Sequence, residues 1–350
     1  MRPAGSCEWL LIAVGSALFG CVPEFDDDTS RVVSPRILAL QASPAEVRDR
    51  VDETATVTAL LAGPAASETP EIFWSLCVDR KPLSELGPVS ARCIESPEPG
   101  PEIAESLGTG NSVDVPIPET ACQLFGPQRP DPKPGEPSGR PVDPDPTGGF
   151  YQPVLAWLGS TAVLGAVRLG CPLRDIDFNR RYRPNENPAL TALDAVRGDG
   201  SVLAFEADEP VTLGAGERIR LRASWVACPA VDACGDGICG PDEAQTTCVD
   251  SGDDCAAPRG CTGAERYVYF DGLAQSVTDR FEALSVSWYA TDGTFDAPRT
   301  GGSADAGADG GPGSSNGYVA PGAGTVELWA IVRDDRGGTA WRSGTITISN

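Results

Sequence analysis

Thr325-Val-Glu-Leu-Trp-Ala-Ile-Val332, then Arg333-Asp-Asp-Arg-Gly-Gly338, then Thr339-Ala-Trp-Arg-Ser-Gly-Thr-Ile-Thr-Ile348 carries the plainest fold signal in the chain. Two runs of β-branched and aromatic residues flank a cluster of Asp and Gly, the composition of a β-hairpin. Upstream, Leu284-Ser-Val-Ser-Trp288-Tyr-Ala290 reads as another strand, with a tryptophan at its centre. The same order occurs earlier. Ile37–Gln41 and Ala55–Ala62 are short strands, and Glu71–Val78 places Trp74 where the later strand has Trp288. Ser112–Ile117 alternates, its Pro116 suiting a sheet edge. Tyr151–Leu158 and Thr161–Leu169 form a hairpin across Gly159-Ser160. In the second half Asn187–Leu193 opens the series. Glu217–Trp225 then alternates charged and apolar residues, as a half-exposed strand does, and Arg266–Phe270 follows. The prediction is an all-β protein. Two immunoglobulin-like β-sandwich domains, at 36–180 and 187–350, carry long loop insertions and a small disulfide-rich module.

Composition narrows the chemistry. The chain has 27 basic and 50 acidic residues, a net charge of -23. Such a surface repels nucleic acid and anionic lipid headgroups. Histidine is absent. With it go the usual general base of hydrolases and the commonest zinc ligand.

The first 20 residues read as a lipoprotein signal peptide. A single Arg2 precedes the apolar run Trp9–Gly20, which is too short to span a bilayer as a helix. Leu18-Phe19-Gly20-Cys21 resembles the bacterial lipobox, although Phe19 is larger than the usual small residue. That resemblance implies cleavage before Cys21, acylation of its sulfur and a membrane anchor. Val22, rather than aspartate, follows the cysteine, which by the same resemblance implies the outer membrane or cell surface. An ordinary signal peptide cut nearby is the competing reading. Residues 21–35, with Asp26-Asp27-Asp28, read as a flexible tether.

Setting aside Cys7 and Cys21, the 12 cysteines leave ten: Cys77, Cys93, Cys122, Cys171, Cys228, Cys234, Cys239, Cys248, Cys255 and Cys261. An even count in an exported chain reads as disulfides. Cys77 with Cys93 and Cys122 with Cys171 would close the insertions of the first domain. Cys228 and Cys261 bracket the module 228–261, whose four inner cysteines allow three pairings. Asp236, Asp242, Glu243, Asp250, Asp253 and Asp254 crowd it. Hard oxygen ligands at that density suit Ca²⁺, yet the regular calcium-loop pattern is missing, and a solvated acidic loop is the simpler reading. No other cofactor is expected.

The final hairpin, with Asp334-Asp335-Arg336-Gly337-Gly338 at its turn, resembles the end of PKD-type and other bacterial immunoglobulin-like repeats. The whole chain resembles uncharacterised predicted lipoproteins of myxobacteria, a resemblance that implies no particular activity. The Pro-rich stretch 126–149 and the Gly/Ala/Asp/Ser-rich stretch 299–317 read as disordered loops.

Motifs that suggest catalysis lack their context. Gly313-Ser314-Ser315-Asn316-Gly317 fits Gly-x-Ser-x-Gly but has no histidine to serve it. Asp250-Ser251-Gly252 lies in a cysteine module without a second copy. Trp157, Trp329, Trp341 and Tyr289 would line a sugar-binding face or fill a core, core filling being the more common use. Asp292, Asp296, Asp334 and Asp335 would form a cation site or serve as turn residues. The expected function is a non-enzymatic envelope lipoprotein. It would meet the membrane through its lipid, bind an envelope protein or glycan, and ignore nucleic acid. The alternatives are a carboxylate-based polysaccharide hydrolase and a structural subunit of an envelope complex.

Overall fold

The computed structural model describes residues 29–48, 53–64, 70–80, 89–97, 100–126, 147, 149–171, 182–206, 209–228, 249–250, 255–256, 261–271, 274, 276–301 and 312–350. The first domain runs β1 (Arg36–Ser43), β2 (Glu46–Arg48), β3 (Thr54–Ala62), β4 (Ile72–Cys77), β5 (Ala104–Thr109), β6 (Ser112–Pro116), β7 (Tyr151–Leu158) and β8 (Thr161–Gly170). Two short helical turns, α1 (Ala91–Ile94) and α2 (Ala121–Leu124), lie in its loops. One sheet has the order β1-β3-β6, with Pro116 on the edge strand. The other has the order β2-β8-β7-β4-β5.

The second domain repeats this plan. It contains β9 (Leu190–Val196), β10 (Val202–Ala204), β11 (Val211–Gly214) and β12 (Arg218–Trp225). An insertion follows, holding β13 (Val249–Asp250), β14 (Cys255–Ala256) and the hairpin β15 (Arg266–Asp271) and β16 (Ser276–Phe281). The sandwich resumes with β17 (Ser285–Ala290), β18 (Thr294–Phe295), β19 (Arg299–Gly301), β20 (Gly313–Val319), β21 (Gly324–Arg333) and β22 (Thr339–Ser349). Its sheets are β10-β9-β12-β20-β18 and β11-β22-β21-β17-β19. In each domain a short strand crosses to the second sheet and pairs parallel to the last strand, β2 with β8 and β11 with β22. All other paired strands run antiparallel.

Each sandwich closes on a tryptophan of its matching strand. Trp74 and Trp288 are both fully buried. The indole N–H of Trp74 donates to the Gly110 carbonyl at 2.7 Å, and that of Trp288 to Thr300 Oγ1 at 2.8 Å. Burying such a ring contributes large apolar area, and the donor needs a partner once water is gone.

Alternation fails where a sheet is covered on both faces. Leu328, Ala330 and Val332 of β21 point into the core of their own domain. Trp329 and Ile331, between them, point outward and pack on Val32, Leu38, Ala39 and Ala62. The unbroken apolar run of β21 is therefore a strand between two cores. On β7, Val154 and Ala156 face the first core, while Leu155 and Trp157 lie under the Cys77–Cys93 loop.

Two expectations are corrected. Residues 299–317 are not one loop: Arg299–Gly301 and Gly313–Val319 are strands, and only 302–311 lie outside the described residues. The small residues of β20 fit because β20 lies between β12 and β18, and its Tyr318 is buried in the core. The tether 21–35 is not free throughout. Val32 is fully buried and its N–H donates to the Ala290 carbonyl at 2.8 Å. Residues 127–146 of the Pro-rich stretch lie outside the described residues.

Candidate functional site: a buried charge cluster between the sandwiches

The turn between β21 and β22 reads in sequence as a polar, Asp- and Gly-rich hairpin turn, yet Arg336 at its tip has no exposed surface. Asp334 closes the turn. Its Oδ1 accepts from the N–H groups of Arg336 at 2.8 Å and Gly338 at 2.7 Å, and Gly337 takes a φ of 101° that other residues disfavour. The guanidinium is thereby aimed into the protein. Its Nη1 donates to Glu265 at 2.7 Å and Glu282 at 3.1 Å, and its Nη2 donates to the Arg183 carbonyl at 2.7 Å. It lies 4.7 Å from the ring centre of Tyr267.

Glu265 and Glu282 stand at the two feet of the β15–β16 hairpin, so Arg336 fastens this insertion to the sandwich. Across the domain boundary Arg336 comes within 3.7 Å of Glu46 on β2. Glu46 also meets Arg168 of β8 at 3.3 Å, and both side chains are buried. Arg168 donates to Thr147 Oγ1 at 2.9 Å and to the Tyr151 hydroxyl at 2.7 Å. A side chain at position 149 would begin 2.2 Å from the guanidinium of Arg168, so any larger residue there would displace that guanidinium.

The segment joining the domains is stitched to both. Tyr182 donates its hydroxyl proton to Glu46, and the Asn185 N–H donates to the same carboxylate at 2.9 Å. The Asn185 amide donates to Asp334 at 3.2 Å. Asn187 donates to the Ala42 carbonyl at 2.6 Å and accepts from the Thr339 N–H at 2.9 Å.

Two arginines thus face four buried carboxyl groups, those of Glu46, Glu265, Glu282 and Asp334. Burial pushes Glu282 up to about 9, helped by repulsion from Asp334 and opposed by Arg336. Burial also raises Glu265 against the pull of Arg336, and raises Asp334 against its hydrogen bonds from Asn185 and the turn. Burial together among like charges thus favours proton uptake by these groups. Perturbed carboxyls mark active sites, but structural ion-pair networks shift them too. These groups spend their hydrogen bonds on Arg336, on Tyr182 and Asn185, and on nearby backbone N–H groups. Their chemistry is that of a joint: charges buried in fixed directions give little net stability but penalise every misaligned arrangement.

Charge gives way to apolar packing along the rest of the boundary. Trp329 packs on β1 and β3, with Tyr289 and Trp341 partly buried beside it. Trp157 belongs to a different cluster in the first domain. The four aromatics therefore do not form one sugar-binding face. Nor do the four aspartates converge. Asp292 pairs with Arg31 at 3.0 Å, Asp296 with Arg218 at 2.6 Å, and Asp335 accepts from Tyr267 at 3.4 Å, while Asp334 is held in its own turn. Among the described residues no group of three or more Cys, Asp or Glu is arranged to hold a metal. Gly313–Gly317 lies within a strand, the wrong setting for a nucleophile elbow.

Disulfides join Cys77 to Cys93, Cys122 to Cys171 and Cys228 to Cys261. Such bridges belong to chains that fold in an oxidising compartment. Cys21, Cys234, Cys239, Cys248, Asp236, Asp242, Glu243, Asp253 and Asp254 lie outside the described residues, while Asp250 and Cys255 sit in the β13–β14 pair. The sequence reading missed the charge cluster. Its one signal was an arginine inside a Gly- and Asp-rich turn, which is indistinguishable from a solvated one until the other domain is in place.

No protein-family model matches the chain, and no curated protein matches it. Among solved structures, a domain of intimin is similar at 8% identity, covering 91% of this chain and 100% of its own, with a TM-score of 0.21. Fibronectin(III)-like modules of Clostridium thermocellum CbhA are similar at 7% identity, over 89% of this chain and 94% of theirs, with a TM-score of 0.20. The C-terminal domain of the Streptococcus agalactiae AgI/II polypeptide BspA is similar at 10% identity, over 90% and 99%, with a TM-score of 0.22. At these scores the likenesses carry no argument. The strand order and pairing by themselves make this chain a pair of immunoglobulin-like β-sandwiches.

Proposed function

We propose that the chain is a non-enzymatic lipoprotein of the bacterial envelope, held at a lipid surface through Cys21, whose two sandwiches act as one stiff binding or spacing element. The joint carries this reading. Two sandwiches linked only to place independent binding sites need no buried ion pairs between them, and domain interfaces within a chain are ordinarily permissive of motion. Here charge, hydrogen bonds and apolar packing all fix a single orientation. The lipobox resemblance supports the anchor, and the disulfides support export. The absence of histidine argues against a hydrolase, and the acidic surface argues for protein or glycan partners over nucleic acid. The test is incorporation of labelled palmitate into the full chain expressed in a Gram-negative host, beside a Cys21→Ala variant. Label in the first and none in the second is expected. A soluble, unlabelled wild type with free thiols would overturn the proposal.

A further inference from the structure

The first described residues pack on the second sandwich before the chain enters the first. Arg31 faces Ala290, at the end of β17, in a parallel bridge. The Val32 N–H donates to the Ala290 carbonyl at 2.8 Å, and the Ala290 N–H donates to the Ser30 carbonyl at 3.0 Å. Arg31 meets Asp292 at 3.0 Å, and Val32 is buried with Trp329 and Ile331. Arg36 returns a hydrogen bond to the Thr29 carbonyl at 2.8 Å while lying 5.4 Å from the ring centre of Tyr289. Backbone, apolar and ionic contacts thus strap residues 29–32 to one place.

That place has a direction. From it β1 runs along β21 and β22: Arg36 lies over Tyr289, Arg333 donates to the Leu38 carbonyl, and Gln41 donates to the Thr339 carbonyl. The strap marks one end of this contact. The turn holding Arg336 and the foot of the Cys228–Cys261 insertion marks the other.

We infer that the strap sets the orientation of the anchored protein: the Asp292 end faces the lipid, and the charge-cluster end faces outward toward partners. The inference rests on the proposed lipid at Cys21. Nine residue steps separate Cys21 from Ser30, which fully extended reach at most about 32 Å. The 11-residue strand β22, ten residue steps, spans about 34 Å. The tether is therefore no longer than the sandwich it holds, and the strap fixes where it leaves.

The test uses the full chain with Cys7→Ser and a synthetic diacyl maleimide lipid on Cys21, so that it proceeds whether or not cells supply the natural lipid. A fluorescent amino acid replaces either Thr294, exposed beside Asp292, or Glu186, exposed beside the cluster. Energy transfer to acceptor-labelled headgroups of neutral vesicles is then read. Transfer at least twofold greater from position 294 is expected. A Val32→Asp variant should still float with the vesicles, retain β-sheet circular dichroism and lose the difference between positions. As a milder check, Asp292→Arg should shrink the difference and the paired Arg31→Asp, Asp292→Arg swap should restore it. Equal transfer from both positions in the parent chain, or greater transfer from 186, overturns the inference. Failure of palmitate labelling in cells overturns only the natural anchor.

Discussion

Arg336 is the residue through which the joint is organised, and Glu282 is the partner whose ionisation it tolerates least well. Glu282 is buried beside Asp334 and Glu265, so its charged form is disfavoured and its pKa rises from 4.5 to about 9. The sign of the pH effect follows. The folded chain keeps this proton where the unfolded chain has released it. The contribution to stability is complete below about pH 4.5 and is lost as pH rises toward about 9, at no more than about 1.4 kcal/mol per unit. Glu282→Gln cannot titrate but retains a donor and an acceptor. Between pH 5.5 and 8.5 the wild type should lose stability relative to Glu282→Gln, read as the change in the difference between their urea midpoints. A constant difference would show that Glu282 does not titrate in that window.

At the scale of elements, covalent and packing constraints divide the labour. The sheets of the first domain hold a core around Trp74, and its long insertions are closed by cysteine pairs. Cys122–Cys171 spans 49 residues and Cys77–Cys93 spans 16. Chain entropy in the unfolded state makes the longer loop the more stabilising one, about 4 against about 3 kcal/mol. Paired Ala substitutions, compared by chemical denaturation, should therefore destabilise more at 122 and 171 than at 77 and 93. The reverse order would mean that local packing under Trp157 outweighs loop length. Strand β20 shows the limit of composition as a guide. Gly313-Ser-Ser-Asn-Gly317 reads as a loop, yet β12 supplies a full ladder of partners from Arg218 to Ser224. Backbone pairing is indifferent to the low β-propensity of the added strand when a neighbour is already held in place.

For the whole molecule, the contacts at the joint predict that the two sandwiches behave as one mechanical unit. Arg336→Ala removes the cation from among buried carboxylates and should cost about 3–5 kcal/mol, because the groups left behind lose their compensation. It should also split a single calorimetric transition into two and increase the radius of gyration. Retention of one transition would assign domain coupling to Trp329 and Ile331 alone. The sequence by itself determined the β class, the two-fold repeat of strand order and the paired Trp strands. Each of these depends on local spacing and side-chain type, which a single strand or turn displays. Only the tertiary structure decided that Trp329 faces a second domain, that residues 29–32 cross to β17, and that a polar turn delivers a buried arginine. Those facts depend on the other half of the chain, since burial and charge compensation exist only once two distant surfaces meet.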